Sequence, residues 1–284
     1  MTDFETLRPH AWALPNGVQL HTVREGQGAP LVFIHGVMGD WRSWAAQWPA
    51  FRPHFDCISY SRRYSFPNHN DMPSPDHGAL HEALDLALLL DAMDLERVTL
   101  VGSSYGAFTA LALAVQSPQR VQALVAVEPP MMKYANRTPQ GRAVADAFRR
   151  EVIEPANAAF RAGEDERAAQ IMTGGINGGQ SAVNTGEAMA RRLQNLRAMK
   201  MLALSSDEFP LLSPLQLAQL NMPVLLLAGT QTQPVHRAIF ENVCAAMPQV
   251  RHAWVEGAGH GVTREQPGAF NRLVLDFLLT PQPG

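Results

Sequence analysis

Short apolar runs alternate with longer amphipathic segments along most of the chain. The continuous apolar runs at 31–34, 98–101 and 121–127 are typical of strands that are buried on both faces of a sheet. In the segments between such runs, apolar residues recur at helical spacing, as at Leu80 and Leu84. This alternation predicts an α/β fold with a mostly parallel central sheet and helices on both of its faces.

The bounds of the predicted elements follow from the Gly, Pro and capping residues that flank the apolar patterns. The predicted strands cover 18–23, 31–34, 55–60, 98–101, 121–127, 223–228 and 250–255. The first of them ends at a hairpin-like turn at 25–28. The predicted helices cover 41–51, 76–93, 105–116, 235–247 and 265–279. Asp40 is the expected N-cap of the first helix.

The alternation stops between residues 129 and 214. This segment has no strand pattern, is rich in Ala, Arg, Met and Glu, and predicts several helices with glycine-rich connectors. Because it follows the strand at 121–127, we expect it to cover the carboxyl edge of the sheet, where open α/β sheets bind ligands. We therefore predict a core domain formed by 1–128 and 215–284, and a helical cap formed by 129–214.

Composition narrows the class of protein. The 284 residues are 46% hydrophobic and 17% charged, with a net charge of −3, which argues against a disordered chain and against a nucleic-acid partner. The two cysteines, Cys57 and Cys244, exclude a disulfide scaffold and fit a reducing compartment. The N terminus has no signal-peptide pattern, and no apolar run reaches about 18 residues, so we expect a cytoplasmic protein without a membrane segment. We expect a monomer or homodimer.

The sequence Gly102-Ser103-Ser104-Tyr105-Gly106 lies where a predicted strand meets a predicted helix. A sharp strand-to-helix turn would hold a serine in a strained conformation and lift its Oγ clear of the sheet. The helix N-terminus would supply N–H donors near developing negative charge. Ser104 is the candidate nucleophile because only it has glycines at both −2 and +2, although an ordinary Gly-Ser turn is the alternative interpretation.

Together with His35-Gly36 after an apolar run, and with His260 in a glycine-rich loop after a late strand, this motif resembles the α/β-hydrolase superfamily. The order and spacing fit from about residue 31 to residue 279. The resemblance implies a cap inserted after strand six, a Ser–His–acid triad, and an oxyanion hole formed by the N–H groups of Val37 and Tyr105. His260 is the expected general base, since a loop at a strand's carboxyl end can reach the serine.

The acid of the triad is where the chain departs from the superfamily's usual pattern. That acid usually follows strand seven, but the loop at 229–234 contains no carboxylate. Some members, including certain haloalkane dehalogenases, place it after strand six, where this chain has Glu128. We therefore predict that a carboxylate oxygen of Glu128 lies ~2.6–3.2 Å from His260 Nδ1.

Two alternatives to this displaced acid stay open. In the first, Glu128 only anchors the cap hinge by pairing with an arginine such as Arg62. In the second, the triad is incomplete, and a glutamine of the loop at 229–234 orients the histidine. Asp207 and Glu208 are weaker acid candidates, because we expect them to lie on the surface.

A serine with a histidine base fits acyl transfer to water. We predict a serine hydrolase, carboxylesterase-like or lactonase-like, that cleaves a small to medium, largely apolar ester or lactone through an acyl-enzyme. The alternatives are a non-hydrolytic enzyme on the same scaffold (a lyase, a cyclase or a cofactor-free haloperoxidase-like enzyme), a C–C bond hydrolase, and a ligand-binding relative with a degenerate triad. The chain has neither a Rossmann G-x-G-x-x-G after its first strand nor a Walker A motif, so we expect no cofactor and no metal.

Four residues are candidate contacts for the small-molecule substrate. Trp41 follows the oxyanion loop and could form an aromatic wall. Arg62 follows a strand's carboxyl end and could bind a carboxylate, although a structural salt bridge is an equal alternative. Met131 and Met132 open the predicted cap and could adapt to an apolar ligand.

Overall fold

A computed structural model of the protein describes residues 4–72, 74–179 and 186–280. The strands of these residues are β1 (His10–Ala13), β2 (Gln19–Gly26), β3 (Ala29–Ile34), β4 (Phe55–Tyr60), β5 (Val98–Ser103), β6 (Val121–Val127), β7 (Val224–Gly229) and β8 (Arg251–Val255). They form one sheet in the order β1-β2-β4-β3-β5-β6-β7-β8. β2 pairs antiparallel with β1 and with β4, and the other neighbouring pairs are parallel. The predicted mostly parallel sheet is confirmed.

Helices connect most of the consecutive strands. The described α-helices are α1 (Trp48–Phe51), α2 (Ala79–Ala92), α3 (Tyr105–Gln116), α4 (Met132–Ala135), α5 (Pro139–Phe148), α6 (Glu154–Arg161), α7 (Asp165–Asn177), α8 (Gly186–Leu193), α9 (Leu196–Ala203), α10 (Pro214–Ala218), α11 (Pro234–Ala246), α12 (Val262–Glu265) and α13 (Pro267–Leu279). Short 3₁₀-helices lie at Phe4–Thr6, Trp41–Trp44 and Pro118–Arg120, and a π-helical turn lies at Arg149–Ile153. Within the described residues, none of these helices is long and apolar enough to cross a bilayer.

The apolar core occupies both faces of the sheet. On β3, Val32 and Ile34 belong to the cluster that packs with α2, α3 and α11, whereas Leu31 and Phe33 belong to the cluster that packs with α1 and α13. Successive side chains of a strand point to opposite faces, so this alternation requires helices on both faces. The predicted helical layers are therefore confirmed.

Several predicted bounds agree with the structure residue for residue, namely those of β4, α3 and β6. Two predicted helices are each broken in two. The helix expected at 41–51 is a 3₁₀-helix followed by α1, because Pro49 lacks an N–H donor and cannot continue a helix from the preceding turn. The helix expected at 265–279 is divided at Gln266, whose φ of −132° and ψ of 56° are non-helical, as steric conflict with the following Pro267 disfavours the helical conformation there.

Two features of the N-terminal strands differ from the sequence prediction. β1 was not predicted, because its four residues are too few to show an alternation. The turn expected at 25–28 does not close a hairpin, since β2 pairs with β1 and β4 rather than with β3. The predicted N-cap at Asp40 is confirmed, because its carboxylate accepts a hydrogen bond from the Arg42 N–H at 2.9 Å.

Helices α4–α10 follow β6 and precede β7, and the described residues between these two strands form no strand. Several of these helices share a separate apolar cluster that includes Val152, Phe160, Met172 and Met199. Met38, from the loop after β3, belongs to the same cluster and links it to the sheet. The division into a core and a cap stays a prediction, and residues 1–3, 73, 180–185 and 281–284 of the predicted ranges lie outside the described residues.

Candidate active site

Ser104 lies between the end of β5 and the start of α3, in a conformation that few non-glycine residues adopt. Its φ of 53° and ψ of −123° belong to a sharp turn that lifts the side chain above the sheet edge. Steric crowding explains why glycines flank Ser104 on both sides. A Cβ on Gly106 would lie 2.1 Å from the carbonyl oxygen of Ile34, and a Cβ on Gly102 would lie 2.5 Å from that of Gly106. The tight turn around Ser104 therefore needs glycine at both places.

His260 reaches Ser104 from the loop between β8 and α12. Its Nε2 lies 2.9 Å from Ser104 Oγ, which is hydrogen-bond distance. The loop comes close to the end of β7, where a Cβ on Gly229 would lie 2.2 Å from the carbonyl oxygen of Ala258. This close approach buries His260 against the sheet edge, with 8% of the residue exposed.

Glu128 follows β6 and faces the other side of the same imidazole. Its Oε2 lies 2.6 Å from His260 Nδ1, the geometry that the sequence predicts. The Gly229 N–H donates to Oε1 at 2.9 Å, and the Thr232 hydroxyl donates to Oε2 at 2.7 Å. Both carboxylate oxygens thus accept hydrogen bonds, which stabilises a charge that is 98% buried, since the residue is 2% exposed.

Thr232 is a site residue that sequence reasoning did not identify. The loop at 229–234 has no carboxylate, but it places a hydroxyl and a backbone N–H on the carboxylate that comes from β6. The signal in the sequence was a small hydroxyl residue in the loop that lacks the acid. The two glutamines of this loop are not hydrogen-bonded to His260 in the described structure, so the glutamine alternative receives no support from the geometry.

The loop after β3 contributes the backbone expected for an oxyanion hole. Gly36 approaches the nucleophile so closely that a Cβ on it would lie 3.3 Å from the Cβ of Ser104. Val37 and Tyr105 both line the cavity at Ser104. Within the described residues, neither of their N–H groups donates a hydrogen bond, so both are available as donors at this cavity, and their role as an oxyanion hole stays a prediction.

His35 and Arg62 fix the peptide that carries the Val37 N–H. The carbonyl oxygen of Gly36 lies 2.8 Å from His35 Nδ1 and accepts from Arg62 Nη2 at 3.1 Å. His35 Nε2 accepts from the backbone N–H of Arg62 at 3.0 Å, so Nδ1 carries the proton. Burial and the nearby Arg62 charge lower the pKa of His35 to about 3, which keeps this imidazole neutral.

Arg62 is a buried structural residue and not a substrate contact, so that expectation is wrong. It is 1% exposed, and its Nη1 lies 2.5 Å from Glu82 Oε2. Burial alone would raise the pKa of Glu82, but the Arg62 charge and the hydrogen bond with His77 lower it to about 2. Because Arg62 pairs with Glu82, it does not form the ion pair with Glu128 that the alternative interpretation required.

Of the other three expected substrate contacts, one lines the cavity at Ser104 and two do not. Met132 lines the cavity at Ser104, as expected. Trp41 is 5% exposed and packs against Phe4 in the core, with ring centroids 5.3 Å apart, so it forms no wall of the cavities found in the described residues. Met131 is 2% exposed and packs in the core cluster on the α2 and α3 face of the sheet. Both expectations failed because the direction of a side chain, toward the cavity or toward the core, is set by tertiary packing.

Two cavities meet at the Ser104–His260 pair. The first is apolar, measures about 50 Å³, and is lined mainly by Met, Phe and Ile side chains of the segment between β6 and β7. The second measures about 260 Å³ and is more polar. It lies between the loops that follow β3 and β8 and helices α7 and α8.

Besides His260 and Tyr105, two more titratable residues line the apolar cavity. The ring of His236 stacks on His260, with centroids 4.3 Å apart, and its Nε2 has no hydrogen-bond partner among the described residues. Burial lowers the pKa of His236 well below its usual value. Burial raises the pKa of the Glu208 carboxyl to about 8. The expectation of a surface position is wrong for Glu208, whereas the side chain of Asp207 is exposed as expected.

Glu128, His236 and His260 are the described residues whose geometry comes nearest to a metal-ligand set, with one ligand atom of each within 4.8 Å of the others. Both ring nitrogens of His260 are already within hydrogen-bond distance of Glu128 or Ser104. The arrangement therefore favours proton transfer between Ser104 and His260 over metal coordination.

Comparison with known proteins agrees with this architecture. A family model described as alpha/beta hydrolase fold matches residues 29–263. A 2-hydroxy-6-oxononadienedioate/2-hydroxy-6-oxononatrienedioate hydrolase of Paraburkholderia xenovorans is 27% identical over 281 residues, which cover 92% of this chain and 91% of that protein.

Solved structures resemble the chain in fold. The enol-lactonase from Burkholderia xenovorans LB400 has a TM-score of 0.66 at 20% identity, and the match covers 95% of this chain and 100% of that one. The carboxylesterase CesB from Bacillus subtilis has a TM-score of 0.70 at 19% identity, with 96% and 92% covered. At these identities the likeness concerns the fold alone.

Proposed function

The chain belongs to the α/β-hydrolase fold family, and from this premise we propose that it is a serine hydrolase acting on a small to medium, largely apolar ester or lactone. The observation that carries the proposal is the continuous hydrogen-bonded chain from Ser104 Oγ through both ring nitrogens of His260 to the Glu128 carboxylate, at 2.9 and 2.6 Å. Nucleophile, base and acid are the three groups that acyl transfer by a serine requires.

In the first half of the proposed reaction, Ser104 Oγ attacks the carbonyl carbon of the substrate while His260 Nε2 takes the hydroxyl proton. The carbonyl oxygen becomes an oxyanion, and the N–H groups of Val37 and Tyr105 donate hydrogen bonds to it. The ionised Glu128 accepts from Nδ1–H and stabilises the imidazolium. His260 then gives its proton to the departing alkoxide, and the acyl group stays on Ser104.

In the second half, water replaces the alcohol. His260 Nε2 takes a proton from the water as its oxygen attacks the acyl carbon, and the same N–H groups bind the second oxyanion. Collapse of this intermediate breaks the bond to Ser104 Oγ, which recovers its proton from His260. The products are a carboxylic acid and an alcohol, or one hydroxy acid when the substrate is a lactone.

The test combines turnover with covalent labelling. We expect a panel of 4-nitrophenyl esters and lactones to contain at least one substrate, and Ser104→Ala to lower kcat by about 10⁴ or more. A fluorophosphonate probe should label the wild type with one equivalent and leave Ser104→Ala unlabelled. Ser117→Ala, at the far end of α3, is the matched control and should behave as the wild type. Turnover in Ser104→Ala within tenfold of the wild type would overturn the proposal.

A second candidate function is hydrolysis of a carbon–carbon bond in a ketonic substrate. It is favoured by the similarity over 92% of the chain to a protein named as a 2-hydroxy-6-oxononadienedioate/2-hydroxy-6-oxononatrienedioate hydrolase. Product analysis separates the two functions, because ester cleavage releases an alcohol, whereas carbon–carbon cleavage releases an enol or ketone together with the acid.

A further inference from the structure

The second cavity at Ser104 contains a concentration of positive charge. Arg191, Arg192 and Arg264 all line it, together with Ser104 and His260, and among the described residues no Asp or Glu does. The arginines come from helices α8 and α12, which are far apart in the sequence and both border this cavity. Charged groups are therefore held within the cavity that the proposed nucleophile faces.

Two of these three arginines form ion pairs with neighbouring glutamates. Arg191 Nη2 lies 3.1 Å from Glu187 Oε1, and Arg264 Nη2 lies 3.0 Å from Glu265 Oε1. Neither glutamate lines the cavity. The guanidinium of Arg192 has no hydrogen-bond or ion-pair partner among the residues that the structure describes. Three guanidinium groups and two carboxylates leave one positive charge uncompensated.

This uncompensated charge is partly removed from water. The side chain of Arg192 is half-buried, and burial together with the nearby Arg264 charge lowers the pKa of Arg192 to about 10. Arginine side chains stay protonated at neutral pH in proteins, so the two guanidinium groups are like charges. Two like charges that lie near each other in a partly desolvated cavity repel, and a bound anion would relieve that repulsion and accept hydrogen bonds from both.

We propose that the second cavity, here called the arginine pocket, binds a carboxylate carried by the substrate of Ser104. Arg192 would be its main partner and Arg264 the second. The inference rests on the proposed function and deepens it, since the substrate would combine an apolar body, matched to the first cavity, with one acidic group. A single uncompensated charge fits a carboxylate better than a phosphate dianion, and a guanidinium binds a carboxylate through two parallel hydrogen bonds.

Binding measured without turnover tests the pocket directly. The protein is Ser104→Ala, and the ligands are 4-(butanoylamino)benzoate and 4-(butanoylamino)butyrate, each compared with its own methyl ester by calorimetry. We expect at least one carboxylate to bind more tightly than its methyl ester. Adding Arg192→Gln should reduce that preference roughly ten- to a hundredfold, as expected for loss of a charge-assisted hydrogen bond.

The matched control is Arg167→Gln in the same Ser104→Ala background. Arg167 is exposed on α7 and pairs with Glu164 at 2.6 Å, so its removal changes the net charge equally without touching the cavity. Equal binding of carboxylates and methyl esters, or an unchanged preference in Arg192→Gln, would overturn the inference. An equal loss in Arg167→Gln would also overturn it, because the effect would then come from net charge.

Turnover distinguishes this inference from the proposed function. In the wild-type protein, kcat/KM is compared for mono-(4-nitrophenyl) glutarate and for its methyl ester, which lacks the carboxylate charge. If both are cleaved with equal efficiency through Ser104, the proposed function stands and the arginine pocket fails. If carboxylate binding depends on Arg192 but no ester, lactone or ketone is cleaved, the pocket stands and the proposed function fails.

Discussion

Ser104 and Glu128 both have a positive φ, of 53° and 44°, which is unusual for a residue other than glycine. A non-glycine residue at positive φ costs on the order of 1–3 kcal/mol and persists only where its surroundings hold it. For Glu128, the holding groups are the Gly229 N–H and the Thr232 hydroxyl. At the residue scale, therefore, two strained positions face each other across His260, and each one aims a side chain at the imidazole.

The Glu128 carboxylate should matter for its charge and not only for its shape. Glu128→Gln keeps the size but removes the charge that stabilises the imidazolium, so we expect kcat to fall by about 10²–10⁴. Thr232→Val is the companion variant. It removes one of the hydrogen bonds to the carboxylate and leaves the charge, so its loss should be about tenfold. Steady-state kinetics on one ester measures both, and a Glu128→Gln variant with near-normal kcat would show that another group orients His260.

Glu208 predicts a pH dependence of stability. Because burial raises the pKa of this carboxyl from 4.5 to about 8, the folded protein keeps the proton over a range in which the unfolded chain has lost it. The free energy of unfolding must then fall as pH rises from about 4.5 to about 8. Glu208→Gln lacks this titration, so its stability advantage over the wild type should grow across that range and level off above it.

The measurement is Tm at intervals from pH 5 to pH 9, with Asp207→Asn as the control. Asp207 is the exposed neighbour of Glu208 in the sequence, so Asp207→Asn should follow the wild-type curve. A constant difference between Glu208→Gln and the wild type at every pH would show that the carboxyl titrates alike in the folded and unfolded chains.

Some residues of the site could be identified from the sequence, and others could not. Ser104, Glu128 and His260 each end or follow a strand, and the parallel sheet brings strand ends to one edge. Thr232 also follows a strand, but neither it nor His236 belongs to a recognisable motif, because a threonine or histidine acquires its role only from the partner that the fold brings to it.

At the element scale, the loops after β3 and β4 and helix α2 form one buried polar unit. Arg62 lies between the carbonyl oxygen of Gly36, at 3.1 Å, and the carboxylate of Glu82, at 2.5 Å. In a trans peptide the C=O and the following N–H point in opposite directions, so anchoring the Gly36 oxygen orients the Val37 N–H. Arg62 is thus a positioning residue for the proposed oxyanion hole.

Stability and catalysis should respond differently when this unit is broken. Arg62→Met leaves the buried Glu82 carboxylate without its arginine and with His77 alone at 2.9 Å, so the free energy of unfolding should fall by about 3–5 kcal/mol. The double variant Arg62→Met/Glu82→Gln removes that unpaired charge and should recover much of the stability. Its kcat should remain roughly ten- to a hundredfold low, because the Gly36 carbonyl then has His35 Nδ1 as a donor but still lacks the Arg62 guanidinium that fixes it from the other side.

Chemical denaturation and steady-state kinetics on the same two variants provide the test. If the double variant regained wild-type kcat along with its stability, Arg62 would serve the fold alone. Arg62→Lys adds a further comparison, since it keeps the positive charge but loses the planar fork that contacts Gly36 and Glu82 together.

Local sequence signals explain which strands and helices could be predicted. The bounds of β4, α3 and β6 follow from apolar runs that end at clear polar or glycine signals. The helices break at Pro49 and Pro267 because proline cannot continue a helix from the preceding turn. The sequence pattern did not reveal these breaks, since apolar residues continue in helical register on both sides of each proline. β1 depends on pairing with β2, which lies outside any local pattern.

At the scale of the whole molecule, the proposed chemistry lies between two differently built parts. The proposed triad side chains and the proposed oxyanion loop come from the carboxyl ends of β3, β5, β6 and β8, whereas the apolar wall of the first cavity comes mainly from helices between β6 and β7. The composition of those helices is visible in the sequence, but the direction of each side chain is not. Of two adjacent methionines, Met132 lines the cavity and Met131 packs in the core.

The apolar cavity measures about 50 Å³, so the side chains that line it should limit the length of the acyl chain. Met172 lines this cavity and is 5% exposed. Met172→Ala should therefore enlarge the cavity and raise kcat/KM for hexanoate relative to acetate esters by roughly tenfold, the effect expected when an apolar pocket gains room for added methylene groups. It should also lower the free energy of unfolding by about 2–5 kcal/mol, because a buried methionine is truncated.

Met247→Ala separates these two effects. Met247 is 1% exposed in the core cluster that contacts α11, and it does not line either cavity. Its truncation should cause a comparable loss of stability while the hexanoate-to-acetate ratio stays at the wild-type value. An equal change of the ratio in both variants would mean that general loosening of the fold controls selectivity. A change confined to Met172→Ala would mean that the helices between β6 and β7 set substrate length through direct contact, while the sheet edge supplies the reacting groups.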